Sequence, residues 1–325
     1  MKVVILGKGE MLSNLIEGCL DAECDIVGVF RYESTVFSPF HLKLRDFFKS
    51  SSDVTLIKKY KLNELKCKSA NSQEFKKEIL KLNADLILTG TWKEKLSKEI
   101  IDLPTIASVN VHPSYLPKYR GPNPYLQTIL NREHKSGLTF HLLNEEYDKG
   151  AILSQKEIKI YLNDTAKELK ERTVFQARLM VAELVKKLEF GLVIPVQQNE
   201  DNATYYPNIK AEDKMLNFEK ENAEQIHARI RAFHPWLPCY ITISNNFITP
   251  NPYKLKIINE IQTNTIIEKN NIKNAKAGQI IDTNPRSLSI TVLCNNKKSI
   301  KFSGVKLYGF FKKLFTKQFI KNFKI

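Results

Sequence analysis

Long apolar runs are missing from this sequence of 325 residues. None approaches the roughly 20 residues that a helix needs to cross a bilayer, so a transmembrane chain is not expected. The five cysteines, Cys19, Cys24, Cys67, Cys239 and Cys294, are scattered, with no Cys-x-x-Cys pair and no metal-ligand spacing. They read as reduced, mostly buried residues of a cytoplasmic protein. The histidines at 41, 112, 134, 141, 227 and 234 show no zinc spacing with cysteines or acids, so no metal is expected. Gly7-Lys8-Gly9-Glu10 lacks the third glycine of the dinucleotide fingerprint, and Ser13 stands near its place, so a nicotinamide cofactor is not inferred. The apolar start before it is too short for a secretory signal and reads as a first strand. No internal repeat is visible.

Acidic residues are also in deficit: 50 Lys and Arg face 35 Asp and Glu, a net charge of +15. The excess is concentrated. Residues 251–325 hold 15 Lys and Arg against 3 Asp and Glu, a net +12, which leaves +3 for the first 250 residues. That asymmetry suggests a polyanionic partner, nucleic acid or an anionic membrane surface; the alternative is a solvated Lys-rich surface. The Lys-studded, Phe-rich end, Gly304 to Ile325, reads as a helix docked on the body, or as one lying on a membrane or nucleic acid.

What is present is a strand and helix alternation. Strands are expected at Met1 to Leu6, Asp25 to Phe30, Asp85 to Gly90 and Ile106 to Asn110. Helices are expected for about ten residues after the Gly7-Lys8-Gly9-Glu10 turn, ending near Leu20, from Ser72 to Leu82 capped by Asn71, and from Lys93 to Ile101. That order calls for an open, mostly parallel α/β sheet with right-handed crossovers. Tyr32 to Asp53 reads as an irregular loop whose Phe37, Phe40, Phe47 and Phe48 alternate with Lys43, Arg45 and Lys49; it could touch an acceptor or pack on the body. Further on come a helix at Pro124 to Asn131, strands at Gly137 to Leu143 and Ala151 to Lys159, and a long helix. A Thr165-Ala-Lys-Glu168 capping box opens that helix and Gly191 closes it. A strand at Leu192 to Val196, a connection at Gln197 to Lys214 and a helix near Ala223 to Phe233 follow. From Cys239 onward, short β-like runs imply a small barrel. The domain bounds expected are 1–200, 201–238 and 239–325.

The stretch Ser108 to Gly121, Ser-Val-Asn-Val-His-Pro-Ser-Tyr-Leu-Pro-Lys-Tyr-Arg-Gly, places two polar side chains of catalytic type at the end of an apolar run. Asn110 and His112 are two residues apart, so in a strand they share a face and could reach one small substrate. They could equally be a satisfied polar pair at a strand end. A second segment, Ser136 to Leu153, carries a short alternating strand into an acidic loop ending Asp148-Lys149-Gly150.

Together these two segments resemble the folate-dependent N-formyltransferases, closest to those that act on methionyl-tRNA and the sugar formyltransferases on the same plan. The resemblance implies a Rossmann-like catalytic domain followed by an OB-like β-barrel. It also implies formyl transfer from 10-formyltetrahydrofolate to a primary amine, with Asn110, His112 and Asp148 carrying the chemistry. Asn110 would donate to the developing oxyanion, with His112 able to share that task. Asp148 would either orient His112 or take the amine proton itself. Gly90, Thr91, Trp92, Ser114, Leu116, Pro117, Asn144 and Tyr147 are the implied donor contacts, although a lone Trp is more often core. Arg120, Lys312, Lys313 and Lys317 are the expected acceptor contacts. Methionyl-tRNA is the favoured acceptor and an amino-sugar nucleotide the alternative. Two departures weaken the tRNA reading: the basic insertion after the second strand is not recognisable, and Arg-Gly-Pro-Asn-Pro-Tyr replaces the usual Arg-Gly-Ala-Ala-Pro. A binding protein with a vestigial site is a third possibility, opposed by the intact trio.

Overall fold

The computed structural model describes residues 1–36, 41, 46, 51–243, 246–250, 252–258, 275–284 and 286–307. The aromatic and basic side chains of the loop at 37–50, and Lys312, Lys313 and Lys317 with the terminal helix expected around them, lie outside the described residues. The chain divides into two compact units. One comprises Met1–Pro124, Lys135–Lys159 and Lys170–Pro207, the other Tyr125–His134, Ile160–Leu169 and Asn208–Ile325.

The first unit is built on β1 (Lys2–Gly7), β2 (Asp25–Arg31), β3 (Leu86–Gly90), β4 (Ala107–His112), β5 (Lys135–Leu142) and β6 (Ile152–Lys159). They form one sheet in the order β2-β1-β3-β4-β5-β6. The pairs β1/β2, β1/β3 and β3/β4 run parallel, and β4/β5 and β5/β6 antiparallel, so the expected mostly parallel α/β layer is present. β3 is buried along its whole length and β1 from Val3 onward, as in a sheet covered on both faces. Helix α1 (Gly9–Asp21) turns Met11, Leu12, Leu15, Ile16 and Cys19 inward at three- and four-residue spacings. On α2 (Gln73–Leu82), Phe75 and Ile79 join Val4, Leu6, Phe30 and Ile87 in a buried cluster. Each such side chain contributes about 1.5–3 kcal/mol relative to exposure.

Three local expectations are corrected. The cap of α2 is Ser72, whose hydroxyl accepts from Phe75 N at 3.1 Å. Asn71 turns away, its amide donating to Lys95 O and accepting from Ser97 N. Those bonds, with the Ala70 amide on the Glu94 carboxylate, tie residues 93–97 to the neighbouring loop, and helix forms only at Lys98–Ile101. Leu192 to Val196 makes a single bridge, Val196 to Ile152, instead of a strand.

The long helix α3 (Ala166–Glu189) has Glu168 reaching back to Thr165 N at 2.9 Å and ends at Gly191 in the left-handed region. There Leu192 N donates to Lys187 O and Gly191 N to Leu188 O, which satisfies its last carbonyls. It crosses α1 at Gly18, where a Cβ would stand 2.3 Å from Val181 Cγ1 and 2.5 Å from Arg178 O. A backbone oxygen cannot step aside as a flexible side chain can. Gly18→Ala should therefore cost about 1–3 kcal/mol of overpacking, read as an earlier midpoint in urea with an unchanged slope.

In the second unit, helix α4 (Ala223–Phe233) opens with a reciprocal Asn222/Gln225 capping box and buries Ile226, Ile230 and Phe233. Short antiparallel strands follow Cys239. Among the described residues they form one sheet of four and another of three, which fits the small C-terminal β domain expected. Among the described residues no helix is long and apolar enough to cross a membrane.

Candidate active site

The sheet register builds the site. Asn110 on β4 lies beside Thr89 of β3 on one side and His141 of β5 on the other. The Thr89 hydroxyl donates to Asn110 Oδ1 at 2.7 Å, which leaves the amide nitrogen facing His141, with Nδ2 3.1 Å from Nε2. His141 Nδ1 stands 2.8 Å from the Leu142 carbonyl, which can only accept, so Nδ1 carries the ring proton and Nε2 is the acceptor. Burial pushes the His141 pKa down to about 4; the nearby His112 and Arg120 act in the same sense and Asp148 opposes them. The ring is therefore neutral at ordinary pH. Asn110 is thus gripped at both ends, one amide N–H is spent on His141, and the second is left over on a side chain that lines the cleft.

His112 is arranged differently. It is buried, with Nε2 2.9 Å from the carbonyl of Tyr119 and Nδ1 3.3 Å from Asp148 Oδ1. The carbonyl requires a proton on Nε2, so Nδ1 of a neutral ring would turn a lone pair towards a carboxylate. Asp148 Oδ2 accepts from Gly121 N at 2.9 Å. The expectation that Asn110 and His112 reach one substrate together is thereby modified. Asn110 and Asp148 line the cleft, whereas the loop after Pro113 turns the Tyr119 carbonyl back onto His112 and both its nitrogens are engaged.

The cleft is lined by Thr89, Trp92, Lys95, Leu96, Asn110, His141, Leu143, Asn144, Tyr147 and Asp148 among others. Its apolar wall of Leu96, Leu143 and the Trp92 ring lies next to amide and carboxylate groups, which suits a flat heteroaromatic ring with a polar edge. Trp92 Nε1 is a buried donor with no hydrogen-bond partner among the described residues, so a ligand acceptor there would satisfy it. The ring itself packs on Phe30 and Tyr32 at centroid distances of 5.2 and 5.7 Å, so the core and cleft readings of Trp92 both describe it.

Other expected contacts lie elsewhere. Ser114 is fully buried with its hydroxyl on Lys118 O, and Leu116 is buried with its amide on Thr139 Oγ1; neither faces the cleft. Pro117 is next to them in the same loop. Gly90 is buried against Met11 and Leu15, and Thr91 lines a separate hollow with Lys8, Gly9 and Lys170. Arg120, expected on the acceptor side, is turned inward onto Gln198 and Glu200. That placement has a plain cause: a buried guanidinium needs several acceptors, and those two side chains supply them. Sequence reasoning passed over Thr89 and His141 as partners of Asn110. Both lie within the stretches singled out, but their adjacency depends on strand order and register. Among the described residues no group of three or more His, Cys, Asp or Glu could hold a metal ion.

Residues 1–185 match the family model described as formyl transferase, and residues 208–323 match that of the formyl transferase C-terminal domain. Methionyl-tRNA formyltransferase of Thermotoga neapolitana is 31% identical over 234 residues, 72% of this chain and 72% of that one. The enzyme of the same name from Staphylococcus aureus is 28% identical over 309 residues, 95% of this chain and 92% of that one. An N-formyltransferase from Helicobacter canadensis, solved with folinic acid and dTDP-3-aminofucose, shares the fold. Its TM-score is 0.64 at 19% identity, covering 93% of this chain and 99% of that one. With a family match that takes in more than half of its residues, and with its sheet and second β domain in place, this chain belongs to the formyl transferase family.

Proposed function

We propose that this formyltransferase moves the formyl group of 10-formyltetrahydrofolate to the amino group of methionyl-tRNA, as a cytoplasmic enzyme of translation initiation. The observation that carries the acceptor is a relationship running through 95% of the chain, both domains included, to enzymes named for that substrate. The +12 charge of residues 251–325 agrees with it, because phosphate neutralisation supplies most non-specific nucleic-acid affinity. On this reading residues 1–200 hold the donor and the chemistry, 201–238 connect, and 239–325 meet the tRNA. Trp92, Asn144 and Tyr147 would contact the donor.

The chemistry assigned to the site is as follows. The amine nitrogen attacks the formyl carbon, and the spare N–H of Asn110 donates to the oxygen as it becomes anionic. The amine proton passes to the His112–Asp148 pair through the Asp148 carboxylate, which faces the cleft. As the bond from the formyl carbon to the folate nitrogen breaks, that pair returns a proton to the leaving nitrogen.

A second acceptor, a nucleotide-linked amino sugar, is supported by the fold shared with the Helicobacter canadensis enzyme and by the Arg120-Gly-Pro-Asn-Pro-Tyr sequence. Salt separates the two. If the basic region holds tRNA, affinity should fall with salt at a log–log slope of about −0.9 per duplex phosphate contacted. Replacing Lys312, Lys313 and Lys317 by Gln should weaken tRNA binding and flatten that slope, with donor binding unchanged. Saturating formylation of a nucleotide-linked amino sugar, with no formyl-methionyl-tRNA formed and no salt-sensitive tRNA binding, would give the acceptor to the second reading.

A further inference from the structure

We propose that Gln198 is a positioning residue for Asp148, and that Arg120 and Glu200 hold it in place. The inference rests on the reading of Asp148 given above. Asp148 occupies the left-handed region at φ 58°, which is uncommon for residues other than glycine, although Asn and Asp tolerate it best. Such a conformation persists only where its surroundings over-determine it. The Gln198 amide Nε2 lies 2.8 Å from the Asp148 carbonyl and 2.8 Å from the Gly150 carbonyl, so its two hydrogens straddle the turn that aims the carboxylate.

The clamp is itself anchored. Gln198 Oε1 accepts from Arg120 Nη2 at 2.7 Å and from Nε at 3.2 Å, which fixes which way the amide faces. The same guanidinium makes a two-point contact with Glu200, Nη2 to Oε1 at 2.7 Å and Nη1 to Oε2 at 2.8 Å. A buried Arg so tied has little freedom.

The segment from Gln198 onward also governs the other side of Asp148. Gly121 N, which holds Asp148 Oδ2, follows directly after Arg120. Arg120 N donates to Thr204 O at 2.9 Å, and Tyr206 N donates to Arg120 O at 3.0 Å. The Tyr119 amide donates to Thr204 Oγ1 at 2.8 Å, and the Tyr119 ring stacks on Tyr206 with centroids 5.0 Å apart. One stretch of chain therefore places the backbone of Asp148, the amide on its carboxylate, and the Tyr119 carbonyl on its partner His112. In the sequence that stretch looks like a connection without an apolar period.

The test compares Gln198→Ala, Gln198→Glu, Arg120→Lys and Asp148→Asn in the full-length enzyme, with 10-formyltetrahydrofolate as donor. The acceptor is whichever of methionyl-tRNA and dTDP-3-aminofucose the parent formylates. Gln198→Glu keeps the shape and a partner for Arg120 but cannot donate to the two carbonyls. Both Gln198 variants should lose about tenfold to a hundredfold in kcat, with the KM for donor little changed and folding retained. Arg120→Lys should add little in the Gln198→Ala background, because the two act as a unit. A readout that needs no acceptor is the NMR resonance of the His112 Nε2 proton, held on the Tyr119 carbonyl beside Asp148, which both Gln198 variants should lose. Parental kcat and an intact resonance in Gln198→Ala, beside an inactive Asp148→Asn, would overturn the clamp and leave the role of Asp148 standing. A kcat loss that only tracks a lower melting temperature, with the resonance intact, would reduce Gln198 to a structural residue and also overturn it. Parental turnover in Asp148→Asn would remove the reading beneath the inference, and the inference with it.

Discussion

Asp148→Asn should lower turnover by about a hundredfold or more while the protein stays folded, and His112→Ala should do the same. The substituted amide has the shape of the carboxylate. Its oxygen can still accept from Gly121 N and its nitrogen can donate to His112 Nδ1, so the loop has no reason to move. What it cannot do is take up a proton from the attacking amine. His112→Ala leaves the carboxylate in place but removes the group beside it that would share the transferred proton, together with the contact to the Tyr119 carbonyl. Thermal unfolding would separate any lost stability from the loss of rate. The two substitutions should not multiply, since either one disables the same proton-holding pair. Single-turnover rates at saturating donor and acceptor are the measurement. Near-parental rates in either variant would remove that residue from the proton-transfer role.

Asn110→Ala should raise the barrier by about 3–4 kcal/mol, a fall in kcat of a hundredfold to a thousandfold, with little change in donor affinity. The expectation follows from how the amide is held. The Thr89 hydroxyl and neutral His141 fix both of its ends before any substrate arrives, so the remaining N–H needs no reorganisation when the oxyanion forms. Thr89→Val tests the same idea through the residue that orients the amide. It keeps the side-chain shape and removes the hydroxyl that tells the amide which end is which, so it should fall between Asn110→Ala and the parent. A rate in Asn110→Ala equal to the parent would assign the oxyanion to another donor.

Much of the framework was legible beforehand because it depends on short-range periodicity. Val3 to Leu6, Asp25 to Phe30 and Asp85 to Gly90 are apolar runs of strand length bounded by polar or glycine residues. The 3.6-residue spacing of Met11, Leu15 and Ile16, and of Ile226, Ile230 and Phe233, marks helical faces whatever lies opposite them. Where a side chain found a distant partner, the local reading failed. Lys93 to Lys95 have the composition of a helix, but Glu94 and Asn71 bridge two loops and hold the chain out of one. Leu192 to Val196 has the composition of a strand but makes only one bridge.

The sequence by itself determined the α/β class, the small β domain after Cys239, the basic character of the C-terminal part and the candidates Asn110, His112 and Asp148. The first three, with Asn110 and His112, follow from residue type and from order within a few positions, whereas Asp148 is implied by the resemblance to the formyltransferases. Tertiary structure decided which groups touch. Strand order set Asn110 between Thr89 and His141, and the loop after Pro113 brought the Tyr119 carbonyl onto His112, which stands beside Asp148. The return of the chain at Gln198 drew Arg120 inward to brace the Asp148 turn. Those partners are separated by 21 to 80 residues along the chain. No periodicity reaches that far, and only strand register and packing bring such groups within hydrogen-bonding distance.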